Sequence, residues 1–405
     1  MRGVGRWHRH AGACCRIYVG RLASLPTPVR AAGAVAAVCG AVAAAAGIAG
    51  CGTRPDASAA TVMARRPPVT AYVVGVSETV TPIRVANNTA LSGIRVAAAP
   101  LAIAAAPGGR TVYVASWVNV LRPRGVVTPI STVTRRPGRP IRVGGGPLWI
   151  TFTPDGRTAY ISSSSVTVIN VADGRVVHVI HGGGPVAVTP DGKTAYIITG
   201  RHTITPIRTA TGKPGKPVRV AAIPILTAIA PNGRTLYVVS DPDPNKRVRA
   251  VVTPVSVRAG VPGRPIPAGV HPDAIAITRN SSTVYVINTG SGAVTAISAA
   301  ARRAEKTIPV GRYPYAIAIT PDGKTAYVTS DGSGTVTPIR TATNSAGKPI
   351  KVDAGPQDIA ITPDGKTAYV TSFYANTVTP IRIATNTAGK PIGVGYEPEL
   401  IVIAP

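Results

Sequence analysis

The stretch Ile359-Ala360-Ile361-Thr362-Pro363-Asp364-Gly365-Lys366-Thr367-Ala368-Tyr369-Val370-Thr371-Ser372 reads as a β-hairpin. A short apolar run meets a Pro-Asp-Gly turn, and a second run rich in Thr, Tyr and Val follows. Proline presets φ at the first turn position, Asp bonds its own backbone, and Gly takes the positive φ that closes the turn. The flanking runs suit a pleated, half-buried strand. Nearly the same words recur from Ile317 to Ser330, and weaker copies begin at Ile275, Leu226, Val186, Trp149 and Leu101.

The tyrosine of the second run recurs at 72, 113, 160, 196, 237, 285, 327 and 369, at spacings of 36 to 48 residues. After Tyr369 come a loop, a third run (Thr377 to Arg382), a polar loop and a fourth run near Pro391 to Val394. Four strands in about 42 residues is the arithmetic of a β-propeller blade. The expected fold is therefore all-β, with four-stranded antiparallel blades. The first unit starts at Thr70 with no apolar strand before it, while Pro398 to Pro405 matches Pro356 to Pro363 and stops at the turn proline. The C-terminal strand should thus close the ring, giving eight blades. A seven-bladed ring with one irregular unit is the alternative.

On the strength of Tyr327-Val328-Thr329-Ser330, Tyr369-Val370-Thr371-Ser372 and Tyr285-Val286-Ile287-Asn288, residues 69–405 resemble the YVTN-type β-propeller repeat family. That resemblance implies a secreted or surface propeller that binds rather than catalyses. One departure is the proline recurring in the third strand at 82, 129, 206, 254, 338 and 380. Proline cannot donate to a ladder, so each third strand should bulge or lose pairing there. The fourth strand often opens with Lys-Pro (Lys216, Lys348, Lys390), as expected of a guarded edge.

Ahead of the repeats lies a leader. The first 50 residues hold six of the 44 Lys and Arg and no acid, and Ala31 to Gly50 is uncharged. Basic then apolar is a signal-peptide layout. It ends in Ile48-Ala49-Gly50-Cys51, which looks like a lipobox, so residues 1–50 read as a signal peptide and Cys51 as the lipidated residue. The run is also long enough for an uncleaved anchor, although Ala and Gly make it weakly hydrophobic. Residues 51–68 read as a flexible tether, and the product as extracytoplasmic and held to the membrane. All four Cys lie at or before position 51, which excludes a disulfide scaffold for the rest. The net charge of +28, less the six leader cations, leaves about +22 and favours anionic partners.

In a propeller the A–B and C–D turns share one face, and the B–C and D–A loops share the other. The A–B turns carry Arg110, Arg157, Lys193, Arg234, Lys324 and Lys366, so that face is basic and a candidate anion surface. A solvated rim is the plainer account. At the opposite mouth, Trp149, Asp273, Tyr315, Gln357, Asp358, Glu397 and Glu399 are the candidate ligand residues. Four of the 16 acids converge on one sector there, whereas Asp155, Asp191, Asp322 and Asp364 belong to turns.

Catalytic constellations are poor. His178 and His181 fall on opposite faces of a strand and form no ligand pair. No Gly-x-Ser-x-Gly, phosphate loop or Cys nucleophile occurs. The preferred reading is a monomeric binding module at the cell envelope with no cofactor or resident metal. The alternative is a metal-assisted hydrolase or lactonase using Asp273, Asp358 and Glu399. Nucleic acid is a poor partner, because the basic face lacks interleaved aromatics.

Overall fold

The computed structural model describes residues 68–97, 100–119, 124–241 and 249–404. Cys51, the signal peptide and nearly all of the tether lie outside the described residues. The described chain forms eight antiparallel sheets, each built from successive strands A to D. Blade 1 joins Pro398–Ala404 to Thr70–Gly75 and Thr79–Arg84, and blades 2 to 8 follow with A strands starting at Pro100, Trp149, Gly183, Ile223, Pro272, Pro314 and Pro356. Each A strand touches its two neighbouring A strands, and the last touches the first, so they ring a central channel. The count is eight, not seven.

Side-chain chemistry explains the hairpins. In the turn after the blade 8 A strand, the Thr362 hydroxyl donates to the Asp364 carboxylate at 2.6 Å, and that carboxylate accepts the Lys366 backbone N–H at 3.0 Å. Gly365 takes φ 69°, a conformation open to glycine at no steric cost. Matching bonds recur at Asp155, Asp191 and Asp322. All eight repeated tyrosines are buried and form core, as their strand position implies.

Closure is seen in the register: Thr70 pairs with Ala404, Ala71 with Ile403, Tyr72 with Val402 and Val73 with Ile401. The two ends of the described chain thus share one blade.

The expectation about proline needs correction in part. The B–C ladder runs without a shift past every one of these prolines, with Tyr72 opposite Pro82 and Tyr369 opposite Pro380. What breaks is the other side. Strand C of blade 8 pairs outward only at Ile381–Arg382 and Thr377–Val378, leaving Pro380 and Thr379 unpaired. A strand has two hydrogen-bonding edges, and proline's missing N–H falls on the outward one. Its carbonyl still accepts, from Gly389 at 2.7 Å, and a Cβ on Gly389 would sit 3.2 Å from the proline ring. Blades 3 and 6 place Val168 and Ala296 opposite the tyrosine instead, and only there does strand D run unbroken, as Val176–His181 and Arg303–Pro309.

The tyrosine hydroxyls join neighbouring blades. Tyr285, Tyr327 and Tyr369 donate to the Oδ1 atoms of Asn344, Asn386 and Asn88, each at 2.5 Å. Those three asparagines hold φ near 50° in the C–D turns, a region Asn tolerates better than most residues. The Tyr72 hydroxyl has no such partner. Tyr369→Phe should therefore cost about 1 kcal/mol in urea unfolding, whereas Tyr72→Phe should cost nothing or stabilise slightly. Equal effects would show that the Asn latch contributes no stability.

Candidate functional site

The ends of the A strands line the channel mouth. In sequence order the residues after the opening proline are Leu101, Leu148, Val186, Ile225, Asp273, Tyr315, Gln357 and Glu399. Blades 2 to 5 contribute an apolar half of the ring, and blades 6, 7, 8 and 1 a polar half. Trp149 and Trp117 pack against the cluster that holds Leu101, Leu148 and Leu400, so Trp149 belongs to the apolar half. Of the predicted residues, the structure brings Asp273, Tyr315, Gln357 and Glu399 onto one arc.

Asp358 has another occupation. It is 4% exposed, and its two carboxylate oxygens accept the Ile359 N–H at 2.8 Å and the Ile401 N–H of blade 1 at 3.0 Å. It clamps the closing strand to blade 8. Burial pushes its carboxyl up to about 7 despite those two bonds. Burial likewise raises Asp273 to about 7, against a hydrogen bond from Thr289, and raises Glu399 to about 7 with help from the charge of Glu397. The Thr289 hydroxyl contacts both the Asp273 carboxyl and, at 2.8 Å, the Pro314 carbonyl. Among the described residues no group of three His, Cys, Asp or Glu side chains is placed to hold a metal ion. Asp273, Asp358 and Glu399 are not gathered into one such group.

The rim above these acids is aromatic. Tyr313, Tyr374 and Tyr396 are 47%, 50% and 61% exposed. Backbone bonds from Thr289, Asp331 and Phe373 to the carbonyls of His271, Tyr313 and Gly355 pin each B–C loop to the D–A loop beside it. At each junction a ring lies against a glycine. A Cβ on Gly290 would meet the His271 ring at 2.7 Å, one on Gly332 the Tyr313 ring at 2.5 Å, and one on Gly355 the Tyr374 ring at 2.5 Å. In blade 8 the roles exchange: the glycine is in the D–A loop and the ring in the B–C loop. The junctions of blades 6, 7 and 8 thus each keep one ring and one glycine, whereas in blade 1 a Cβ on Gly75 would meet the Tyr396 and Glu397 carbonyls.

Backbone conformation singles out the same arc. The residue before the A-strand proline has positive φ at Gly146, Gly184 and Gly355, but also at His271 (51°), Tyr313 (52°) and Glu397 (47°). A non-glycine residue there costs on the order of 1–2 kcal/mol. Sequence reasoning passed over His271 as a mouth residue. It also missed Asp331, whose carboxyl is raised by burial and which lies beside Tyr313. Spacing held the signal: His271, Tyr313, Gly355 and Glu397 recur every 42 residues, each before a proline.

On the other face, Arg110, Arg157, Lys193, Arg234, Lys324 and Lys366 are all exposed. The carbonyl of each accepts a backbone N–H from the start of a C–D connection, as in Ile383 to Lys366 at 3.0 Å, so the two turn sets do share a face. Val69 accepts from Val85 in the same way, which brings the chain into the ring on this basic face. Arg157, Lys324 and Lys366 lie 3.9–4.0 Å from the Asp of their own turns, contacts worth little at such exposure.

The fold and these two faces define an eight-bladed β-propeller with an acidic, aromatic mouth. No family model matches the chain, and no curated protein matches it either. Solved structures do. The chain resembles the dihydro-heme d1 dehydrogenase NirN at 16% identity and a TM-score of 0.71, covering 84% of this chain and 76% of that one. It also resembles hydrazine synthase of Kuenenia stuttgartiensis (21%, TM-score 0.57, 70% and 96% covered). A third is apo AztD of Citrobacter koseri (11%, TM-score 0.62, 83% and 97% covered). At these identities the likeness is one of fold.

Proposed function

We propose that this chain is an exported, lipid-anchored propeller of the YVTN-repeat type, acting as a binding module at the cell envelope. Its ligand sits on the arc of blades 6, 7, 8 and 1 at the D–A mouth. One observation carries the reading. Exposed rings and buried carboxyls concentrate there, on a backbone held in a costly conformation at His271, Tyr313 and Glu397 where sister blades use glycine. Rigid loops bearing rings and a few convergent polar groups are the usual make-up of a ligand site.

The Cys51 anchor and the entry of the chain at Val69 support an orientation as well. Lys193, Lys324 and Lys366 face the anionic membrane surface, and the mouth faces away, where a soluble or wall-bound partner reaches it. The hydrolase reading ranks second, because its three acids are not gathered; its support is that Asp273 and Glu399 titrate near neutrality, where acid–base groups work.

The test is a panel of envelope glycans and proteins presented to the full chain. Combining Tyr313→Ala, Tyr374→Ala and Tyr396→Ala should cost roughly tenfold or more in affinity for any hit. Lys193→Glu with Lys324→Glu and Lys366→Glu should leave that hit unchanged and weaken only salt-sensitive binding to anionic vesicles. A hit insensitive to the tyrosine variants would place the ligand elsewhere.

A further inference from the structure

Outer strands are the edges of a propeller, and most of these edges are guarded. In six blades the proline of strand C breaks strand D into pieces of two or three residues. In blade 6 the unbroken strand Arg303–Pro309 carries Arg303, Glu305 and Lys306 and ends in Pro309. Blade 3 is different. Its outer strand Val176–His181 lies at the end of its sheet and holds no Lys, Arg, Asp, Glu or Pro. Val176, Val177 and Val179 are 43%, 51% and 63% exposed. A bulge at Val177 leaves His178 to His181 in regular register. Bare edges of this kind invite another strand, which is why proteins spend charges and prolines on them.

We infer that this edge docks an extended segment of another protein, added as a fifth strand, with apolar side chains at alternate positions and carboxylates at its flanks. Main-chain bonds supply affinity in this mode, and side chains at alternate positions supply choice. Val177 and Val179 offer the apolar contact. The surroundings are basic. Arg175 precedes the strand; Arg142 follows Ile141, whose side chain a Cβ on Gly174 would meet at 3.1 Å. Lys213 follows Gly212, whose Cβ would sit 2.7 Å from the His178 ring. The nearby acid Asp173 is engaged by the Arg175 backbone N–H at 3.0 Å. A second copy of this chain would bring the same cations to the same edge, so like charge opposes self-pairing and favours an acidic partner.

The probe is a synthetic peptide of alternating Val and Thr with two Asp at each end, titrated into the full chain by fluorescence anisotropy. Saturable binding is expected, weakened roughly tenfold or more by methylating alternate peptide nitrogens, by Val179→Pro, or by Val177→Asp with Val179→Asp. Added salt should weaken it too. Val261→Asp, at a position 58% exposed on blade 5, should bind as wild type with unchanged melting. Absence of binding, or binding indifferent to methylation or to the blade 3 variants, overturns the proposal. So does a concentration-dependent dimer abolished by Val179→Asp, since a second copy would then own the edge.

Discussion

Removing residues 398–405 abolishes the cooperative unfolding transition: that is the largest effect the structure predicts. Leu400, Ile401 and Val402 are each less than a tenth exposed; Leu400 and Val402 pack on the blade 2 side of blade 1 and Ile401 on the blade 8 side. At about 1.5–3 kcal/mol for each buried aliphatic side chain, their loss is comparable with the 5–15 kcal/mol that holds a domain together. Deletion also bares the channel-side edge of Thr70–Gly75 and leaves the Asp358 carboxyl without the Ile401 N–H. Thermal denaturation followed by circular dichroism is the measurement. Leu400→Ala is the milder control, expected to cost about 2–5 kcal/mol. A truncated chain that melts like the full one would refute closure as a source of stability.

Stability should also fall as the solution passes from weakly acidic to neutral pH. Asp358, Asp273 and Glu399 are all raised to about 7 by burial. A carboxyl with a higher pKa in the folded than in the unfolded state takes up a proton on folding. Its contribution is complete below the unfolded pKa and disappears as pH rises through the folded one. The window runs from about pH 4 to about pH 7. For the fully buried Asp358 the displacement corresponds to about 4 kcal/mol. The turn residues Asp155, Asp191, Asp322 and Asp364 are lowered, chiefly by their Thr hydroxyls, and oppose this trend only at more acidic pH. Urea midpoints should therefore peak near pH 4–5 and decline toward pH 8. Asp273→Asn should flatten part of that slope, since the amide oxygen still accepts from Thr289. A flat wild-type profile would mean that these carboxyls are ionised in the folded protein.

Much of the fold was legible because its determinants are local. Thr362, Pro363, Asp364 and Gly365 form a turn from bonds within five residues, and the period of Tyr369 then repeats it around the ring. Closure was legible because the C-terminal segment repeats the text of other A strands. The role of proline was read only halfway, because the missing donor was clear but the edge it faced was not. Contacts between blades were harder. Tyr285 and Asn344 are 59 residues apart, and no local pattern joins them. At the mouth, the acids Asp273 and Glu399 stood out in a basic chain, but residue type did not separate them from Asp358. That distinction rests on whether backbone N–H groups reach the carboxylate, which only the packed blades decide.

Joining the chain's first and last described strands in one blade also imposes an order in time. A polypeptide made from its amino end can complete blades 2 to 8 as it emerges, but blade 1 waits for residues 398–404. Until then Tyr72, Val73 and Val74 have no A strand beside them, and no intermediate length of chain yields a locked ring. The segment 398–404 works as a latch: the ring stays open to threading, handling or proteolysis until that strand is in place, and then shuts in a single step.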